Sequence, residues 1–212
     1  MSWVALIEVV SGQTLDAFFQ ERIFAQLDMH DTYFYLPASK LSRFPALSSI
    51  GPDNQVKVSD PASPESRWVR EPHTYFAGAG GLVSTATDYY RFLQMMLNGG
   101  ELDKVRLLGP KTVELMTSNH TGKLPIWLNG PGFGFGLGFN VVIDVGGTGQ
   151  AGSLGKYAWG GAYGTNFWVD PAEQMIGIIM TQVSPETPTT IGAAFLGLAY
   201  QAVIDQSTKD KK

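Results

Sequence analysis

Tyr157-Ala-Trp-Gly-Gly-Ala-Tyr-Gly-Thr-Asn-Phe-Trp-Val-Asp-Pro171 is rich in aromatic and β-branched residues, opens on paired glycines and closes on a turn. That composition belongs to a β-strand rather than a helix. It predicts an extended segment from about Lys156 to Val169, joined through Asp170-Pro171-Ala-Glu173 to a second strand, Gln174 to Gln182. Phe135 to Val145 supplies a third, and the three form an antiparallel meander. Paired glycines beside an aromatic leave the backbone open to close approach, a pattern suited to one wall of an active site.

Outward from the meander the period changes to that of helices. Pro185 and Pro188 introduce a terminal helix from about Thr189 to Ile204, whose Gly192, Ala193, Ala194 and Gly197 let it lie close against a sheet. Upstream, Tyr89, Phe92, Leu93, Met96 and Leu97 recur at helical spacing after a Thr87 cap, and Asn98-Gly99-Gly100 ends that helix. A short helix opens at Gly109-Pro110. Thr14 caps a core helix from Leu15 to Leu27, with Asp16 in its first turn. Val4 to Val10 reads as the end of a buried helix closed by Ser11-Gly12, so the chain is expected to start mid-element. Asp28 to Pro72 is too long and irregular for an ordinary connection and is expected to form a lobe or active-site cover whose aromatics face something. The order helix, irregular lobe, helices, strands, helix indicates an α+β fold: an antiparallel sheet packed by N- and C-terminal helices.

Composition excludes several function classes. The 212 residues are 44% hydrophobic and 16% charged, enough for a substantial core. The net charge of -4 is of mixed sign, with only the Lys209 to Lys212 tail standing out, so no nucleic-acid partner is expected. The absence of cysteine removes disulfides, thiolate nucleophiles and cysteine-ligated metals, and leaves the compartment open. No window approaches the ~18 apolar residues needed to span a bilayer, and no leader is recognisable near Met1.

Three apparent signatures converge on one glycine-rich loop. Gly147-Thr-Gly149-Gln-Ala-Gly152 matches Gly-x-Gly-x-x-Gly, yet a phosphate-binding turn must open a helix, and Ser153 to Gly161 is glycine-broken and aromatic. Ser153 and Lys156 form the sole Ser-x-x-Lys of the chain, and Ala151-Gly-Ser-Leu-Gly155 is a near miss for a nucleophile elbow. A serine-lysine pair needs both residues on one helix face, whereas an extended segment sends them to opposite faces. An elbow needs a later histidine, and His30, His73 and His120 all precede Ser153. Ser153 and Lys156 are thus a candidate nucleophile pair set against a flexible polar loop. The histidines fit no metal spacing; His73, ahead of Thr74-Tyr-Phe-Ala-Gly-Ala-Gly-Gly81, has the best claim to a pocket. No cofactor and no metal is expected.

Glu8-Val-Val-Ser-Gly-Gln-Thr-Leu15, Ile23-Phe-Ala-Gln-Leu-Asp-Met-His-Asp-Thr-Tyr33, Ala77-Gly-Ala-Gly-Gly-Leu-Val-Ser-Thr-Ala-Thr-Asp88 and Trp159-Gly-Gly-Ala-Tyr-Gly-Thr-Asn-Phe-Trp-Val-Asp-Pro171, in this order, resemble the C-terminal part of the serine beta-lactamase-like superfamily. The most similar branch is that of class C beta-lactamases and family VIII carboxylesterases. The resemblance implies a partial beta-lactamase/transpeptidase-like fold, with residues 1–212 a single C-terminal portion and 28–72 its lobe. In that family a Ser-x-x-Lys helix supplies nucleophile and base, a Tyr-x-Asn assists proton transfer, and a strand motif flanks the substrate. Trp159-Gly160-Gly161 falls at the strand motif, in the variant that resembles esterases more than penicillin-hydrolysing enzymes. Ala162 would then lend a backbone N–H to the oxyanion hole, and the glycines would let an acyl group lie along the strand. The alternative is a strand whose glycines merely allow tight packing.

No Tyr-x-Asn occurs, and the sole Ser-x-x-Lys lies beside the strand motif. The resemblance therefore implies a piece of a hydrolase acting on a small ester or amide, expected to lack efficient activity in isolation. A different class stays open: a non-catalytic module that pairs with an N-terminal half or with itself.

Overall fold

The structure, a computed structural model, describes residues 3–51, 53, 55–69, 76–124, 130–184 and 190–203. His73, Pro185, Pro188, the lysine tail and the end of the 28–72 lobe lie outside the described residues. The chain is α+β and divides into two compact units, one of Met1–Val113, Gly161–Gly164 and Met180–Thr187, the other of Glu114–Gly160, Thr165–Ile179 and Pro188–Lys212.

The first unit opens with α1 (Trp3–Ser11), ended by Gly12 at φ +70°, the left-handed position that glycine adopts without strain. The helix is present but not buried as expected: Trp3 is 80% exposed, Val9 78% and Val10 77%. The expected helix from Leu15 to Leu27 is α2 (Leu15–Phe19) running into a π-helical turn, Gln20–Phe24. Wide i to i+5 hydrogen bonds, Ala25 N–H to Gln20 O and Met29 N–H to Phe24 O, underlie this widening. Leu15, Phe24, Leu27 and Met29 are buried along it. Thr14 stands at the N-cap, but its hydroxyl makes no capping bond. The Glu8 carboxylate accepts the Leu15 N–H instead, at 3.1 Å, because the tight Gly12 turn brings α1 back onto the start of α2.

Beyond Asp28 the described residues of the 28–72 stretch form regular elements. The stretch holds a 3-10 helix (Ala38–Arg43) and the antiparallel hairpin of β1 (Leu47–Ile50) and β2 (Val56–Asp60). Asp31 and Thr32 are tied to Asp88, whose Oδ2 accepts the Asp31 N–H at 2.7 Å and the Thr32 hydroxyl at 2.9 Å. Asp88 lies in the first turn of α3 (Ala86–Leu97), and its own N–H is capped by the Thr85 hydroxyl at 3.1 Å. The cap is Thr85, not Thr87 as expected: its hydroxyl accepts the N–H of the residue three positions on, the spacing of an N-cap to the first turn. Gly99 and Gly100 close α3 at positive φ, followed by the short pair β3 (Glu101–Leu102) and β4 (Val105–Arg106) and by α4 (Pro110–Met116). β1 also meets the returning chain: Ser48 N–H reaches Gln182 O at 3.0 Å, and Ser184 N–H reaches Ser48 O at 2.7 Å.

The second unit is built on a five-stranded antiparallel sheet in sequence order: β5 (Phe133–Phe135), β6 (Asn140–Val142), β7 (Tyr157–Gly160), β8 (Asn166–Asp170) and β9 (Met175–Ile179). The meander is real, but two of the three long strands expected are each folded into a hairpin. Phe135 to Val145 turns back at Gly136 to Phe139, and Lys156 to Val169 turns back at Gly161 to Thr165. Glycine at positive φ accounts for both turns, Gly138 at +100° and Gly164 at +83°. Val145 starts a short helix, α5 (Val145–Thr148). The Asp170 turn forms as expected, its Oδ1 accepting the Ala172 N–H at 3.2 Å.

Val141, Val142, Tyr157, Trp168 and Val169 are the buried heart of this sheet. α6 (Ile191–Gln201) packs on it through Phe195, whose ring lies 5.2 Å from that of Trp168. Of the small residues expected to permit this approach, Gly192 does so, since a Cβ there would lie 3.0 Å from Asn166 Nδ2, whereas Gly197 faces open space. β9 carries no charge and, among the described residues, pairs on one side only.

Candidate active site

β7 is paired residue for residue with β8, Trp159 opposite Phe167 and Gly160 opposite Asn166. Trp159 is half-buried, its ring held edge-on to Phe135 at 4.9 Å. Gly160 is exposed on its outer side, yet a Cβ there would come within 2.8 Å of Asn166 Oδ1 and 3.2 Å of Thr165 O. A side chain there would have to displace the Asn166 amide and press on the Thr165 carbonyl, so glycine keeps the strand end open.

The chain then enters a tight turn in the first unit, closed by the Gly164 N–H on Gly161 O at 3.1 Å. Gly161 and Ala162 are exposed on it, and the Ala162 N–H donates no hydrogen bond to any described residue. The next residue is anchored firmly. Tyr163 O accepts the Thr181 hydroxyl at 2.7 Å and the Val183 N–H at 3.1 Å. The Tyr163 ring packs edge-on against Trp68, centroids 5.4 Å apart. Trp68 is buried, its ring tilted against that of Phe44 with centroids 5.6 Å apart, and its carbonyl takes the Leu36 N–H at 2.6 Å. The aromatics of the lobe thus do face something, the turn that follows the glycine pair. Arg67 completes the cluster, its guanidinium carbon 4.7 Å from the Trp68 ring and 5.6 Å from that of Tyr163. Sequence patterns alone point to neither Arg67 nor Trp68; a tryptophan flanked by arginines within a Pro- and Ser-rich stretch is the available signal.

Ser153 and Lys156 are not joined. Ser153 Oγ bonds Glu173 Oε1 at 3.3 Å and its N–H reaches Asp170 Oδ2 at 2.9 Å, while Lys156 Nζ donates to Ala151 O at 2.7 Å and lies 5.3 Å from the Tyr200 ring centre. The segment is a turn, Lys156 N–H to Ser153 O at 3.2 Å, rather than the extended piece expected. Burial lowers the Lys156 pKa and the Asp170 carboxylate pulls it partly back. No helix follows Gly152, so the glycine pattern lacks the helix start that a pyrophosphate would need. His30 and His120 are exposed, His120 Nε2 meeting Leu115 O at 2.8 Å. Among the described residues no His, Cys, Asp and Glu cluster could hold a metal, and no helix is long and apolar enough to cross a membrane. A separate cleft of about 260 Å³, lined by Asp16, Gln20, Phe24, Tyr33, Tyr35 and Phe76 among others, holds none of the site residues expected from the sequence.

Comparison with known proteins agrees with this architecture. The chain is 29% identical over 204 residues to Protein Rv1367c of Mycobacterium tuberculosis, covering 91% of this chain and 49% of that protein. It is 27% identical over 195 residues to Esterase EstB of Burkholderia gladioli, covering 86% of this chain and 47% of the esterase. Its fold is similar to that of simvastatin synthase (LovD) from Aspergillus terreus, with a TM-score of 0.77, 22% identity and coverage of 95% of this chain and 53% of that one. The chain spans about half the length of the curated relatives named here, and about half of the similar solved chain. The beta-lactamase family matches residues 3–201, and the chain belongs to that family.

Proposed function

We propose that this chain is part of a serine hydrolase that works through an acyl-serine, with esters as its favoured substrates. In it Trp159, Gly160 and Gly161 form the wall along which the acyl group lies, and Ala162 donates its N–H to the oxyanion. The observation that carries this reading is the N–H of the exposed residue Ala162, which no described residue accepts, on a turn directly after a strand that ends in glycine. A preorganised oxyanion donor contributes about 3 to 4 kcal/mol to the transition state, but it cannot act without an activated nucleophile. Ser153 bonds Glu173 at the exposed surface, and Lys156 is spent on Ala151 O, so the serine-lysine pairing that activates a nucleophile in this way is not made. The isolated chain should therefore give no burst and no turnover with p-nitrophenyl acetate or butyrate. Turnover that Ser153→Ala abolishes would overturn this assignment of roles.

A second reading is a non-catalytic module that pairs with an N-terminal half or with itself. The exposed apolar residues of α1 and the uncharged edge of β9, unpaired among the described residues, favour it, since both are surfaces that association would cover. Light scattering on the purified chain separates the two. A monomer at all concentrations, with no binding of a hydrophobic dye, counts against the module.

A further inference from the structure

Arg67 stands over two rings without spending a hydrogen bond on them. Its contacts with Trp68 and Tyr163 are cation–π in kind, and such a contact engages the charge and leaves the N–H donors in place. Its nearest carboxylate among the described residues is Asp60, with Nε 3.9 Å from Oδ2, too long for a hydrogen bond. Asp60 meanwhile takes the Ser66 hydroxyl at 3.4 Å. The Arg67 side chain is 54% exposed, and its Nη nitrogens bond no described residue. A planar donor fork is thus fixed in place by aromatic packing and open at its free edge, the arrangement that receives a carboxylate in bidentate fashion. Tyr163, one of the two rings that hold it, is the residue immediately after Ala162, and its carbonyl is pinned by Thr181 and Val183.

We infer that Arg67 selects acyl substrates bearing a free carboxylate, holding that group beside the turn that presents the Ala162 N–H. The inference rests on the reading of Ala162 as the oxyanion donor and adds to it a substrate class. Uncharged esters would occupy the same wall with nothing to engage the guanidinium.

The two readings are tested together by nuclear magnetic resonance on the whole chain, titrated with monomethyl succinate and, separately, with the uncharged dimethyl succinate. In the unaltered chain both esters are expected to shift the amide signals of Ala162 and Tyr163, the charged ester with about tenfold higher affinity, the ratio set by one charge-assisted hydrogen-bonded contact. Arg67→Gln should bring the two affinities together. Arg67→Lys, which keeps the charge without the fork, should fall between them. Equal affinities in the unaltered chain, or a preference that survives in both variants, would overturn the role of Arg67 while leaving the Ala162 reading in place. Shifts that miss Ala162 and Tyr163 for both esters would overturn that reading and this inference with it.

Discussion

Tyr200 donates its hydroxyl hydrogen bond to Asp170 Oδ2 at 2.6 Å, where the Ser153 N–H also arrives at 2.9 Å. Asp170 is fully buried at the end of β8, so α6, the glycine-rich loop and the β8 to β9 turn all meet on one carboxylate. Such a carboxylate is tolerable only because donors surround it. Tyr200→Phe removes one and leaves a buried charge short of a partner. The expected loss, read from the midpoint of urea unfolding, is about 1.5 to 3 kcal/mol. The same hydroxyl carries a pH signature. Burial first, then its bond to Asp170, raises the Tyr200 pKa above the ordinary 10.0. The folded chain then keeps a proton that the unfolded chain gives up, so stability should fall as pH climbs past about 10. Tyr200→Phe should flatten that alkaline decline, though not abolish it, because burial also raises Tyr89 and Tyr157.

Asp31 provides the acid counterpart. Hydrogen bonds from Lys40 at 2.9 Å and Arg43 at 2.6 Å lower its pKa from 3.8 to about 2. A depressed carboxylate stabilises the fold above its unfolded pKa, and that contribution disappears as pH falls from 3.8 through about 2. Carbon-detected titration of Asp31 should follow this curve. Lys40→Met or Arg43→Met should move its midpoint back toward the ordinary value, and a midpoint unmoved by either change would mean that the two cations do not hold it.

Gly177 lies beneath the Trp168 ring so closely that a Cβ would sit 2.1 Å from Cζ2 and 2.3 Å from Cε2. Gly177→Ala must therefore push a rigid indole off the sheet and against Phe195 of α6. Overpacking of this kind costs about 1 to 3 kcal/mol, measurable as a lower thermal midpoint. Trp168→Phe combined with Gly177→Ala should cost less than the sum of the two single changes, because the smaller ring no longer meets the methyl group.

Thr85→Ala should cost about 1 kcal/mol by removing the cap on the Asp88 N–H, while Thr87→Ala should be nearly neutral. Circular dichroism during denaturant unfolding distinguishes the two variants.

The threonine pair also illustrates how far the fold could be read from the amino-acid order. Which elements exist was legible, because the i, i+3 spacing of Leu93 and Met96 suits a helix and the aromatic and β-branched composition of Phe167 to Val169 suits a strand. Where they begin was less so. Two threonines precede α3, and only the distance to Asp88 separates them. The strand runs from Phe135 and from Lys156 read as unbroken because Gly138 and Gly164 can sit in a strand or a turn; in the fold both take positive φ, and Thr181, far along the chain, lies against Gly164. The burial expected for α1 failed for a related reason: an apolar helix announces that it can be covered, not what covers it. At the candidate site, Trp159 to Ala162 stood out as a local pattern. Arg67 and Trp68 did not, since their meaning comes from Tyr163, which chain order places far away and the returning segment at Thr181 to Val183 holds in position.

Trp168, clamped between Gly177 and Phe195, is 2% exposed, and its indole N–H finds no acceptor among the described residues. An indole sealed from water with its dipole unengaged emits light at the blue end of the tryptophan range, whereas Trp3, 80% exposed, emits at the red end. Five tryptophans share the chain, and Trp68 is buried as well, so the two reporters separate once the other three are replaced by phenylalanine. In that variant, loss of the blue component marks the moment when α6 lifts from the sheet, and a shift of the red component alone reports that something has settled on α1 while the sheet stays closed.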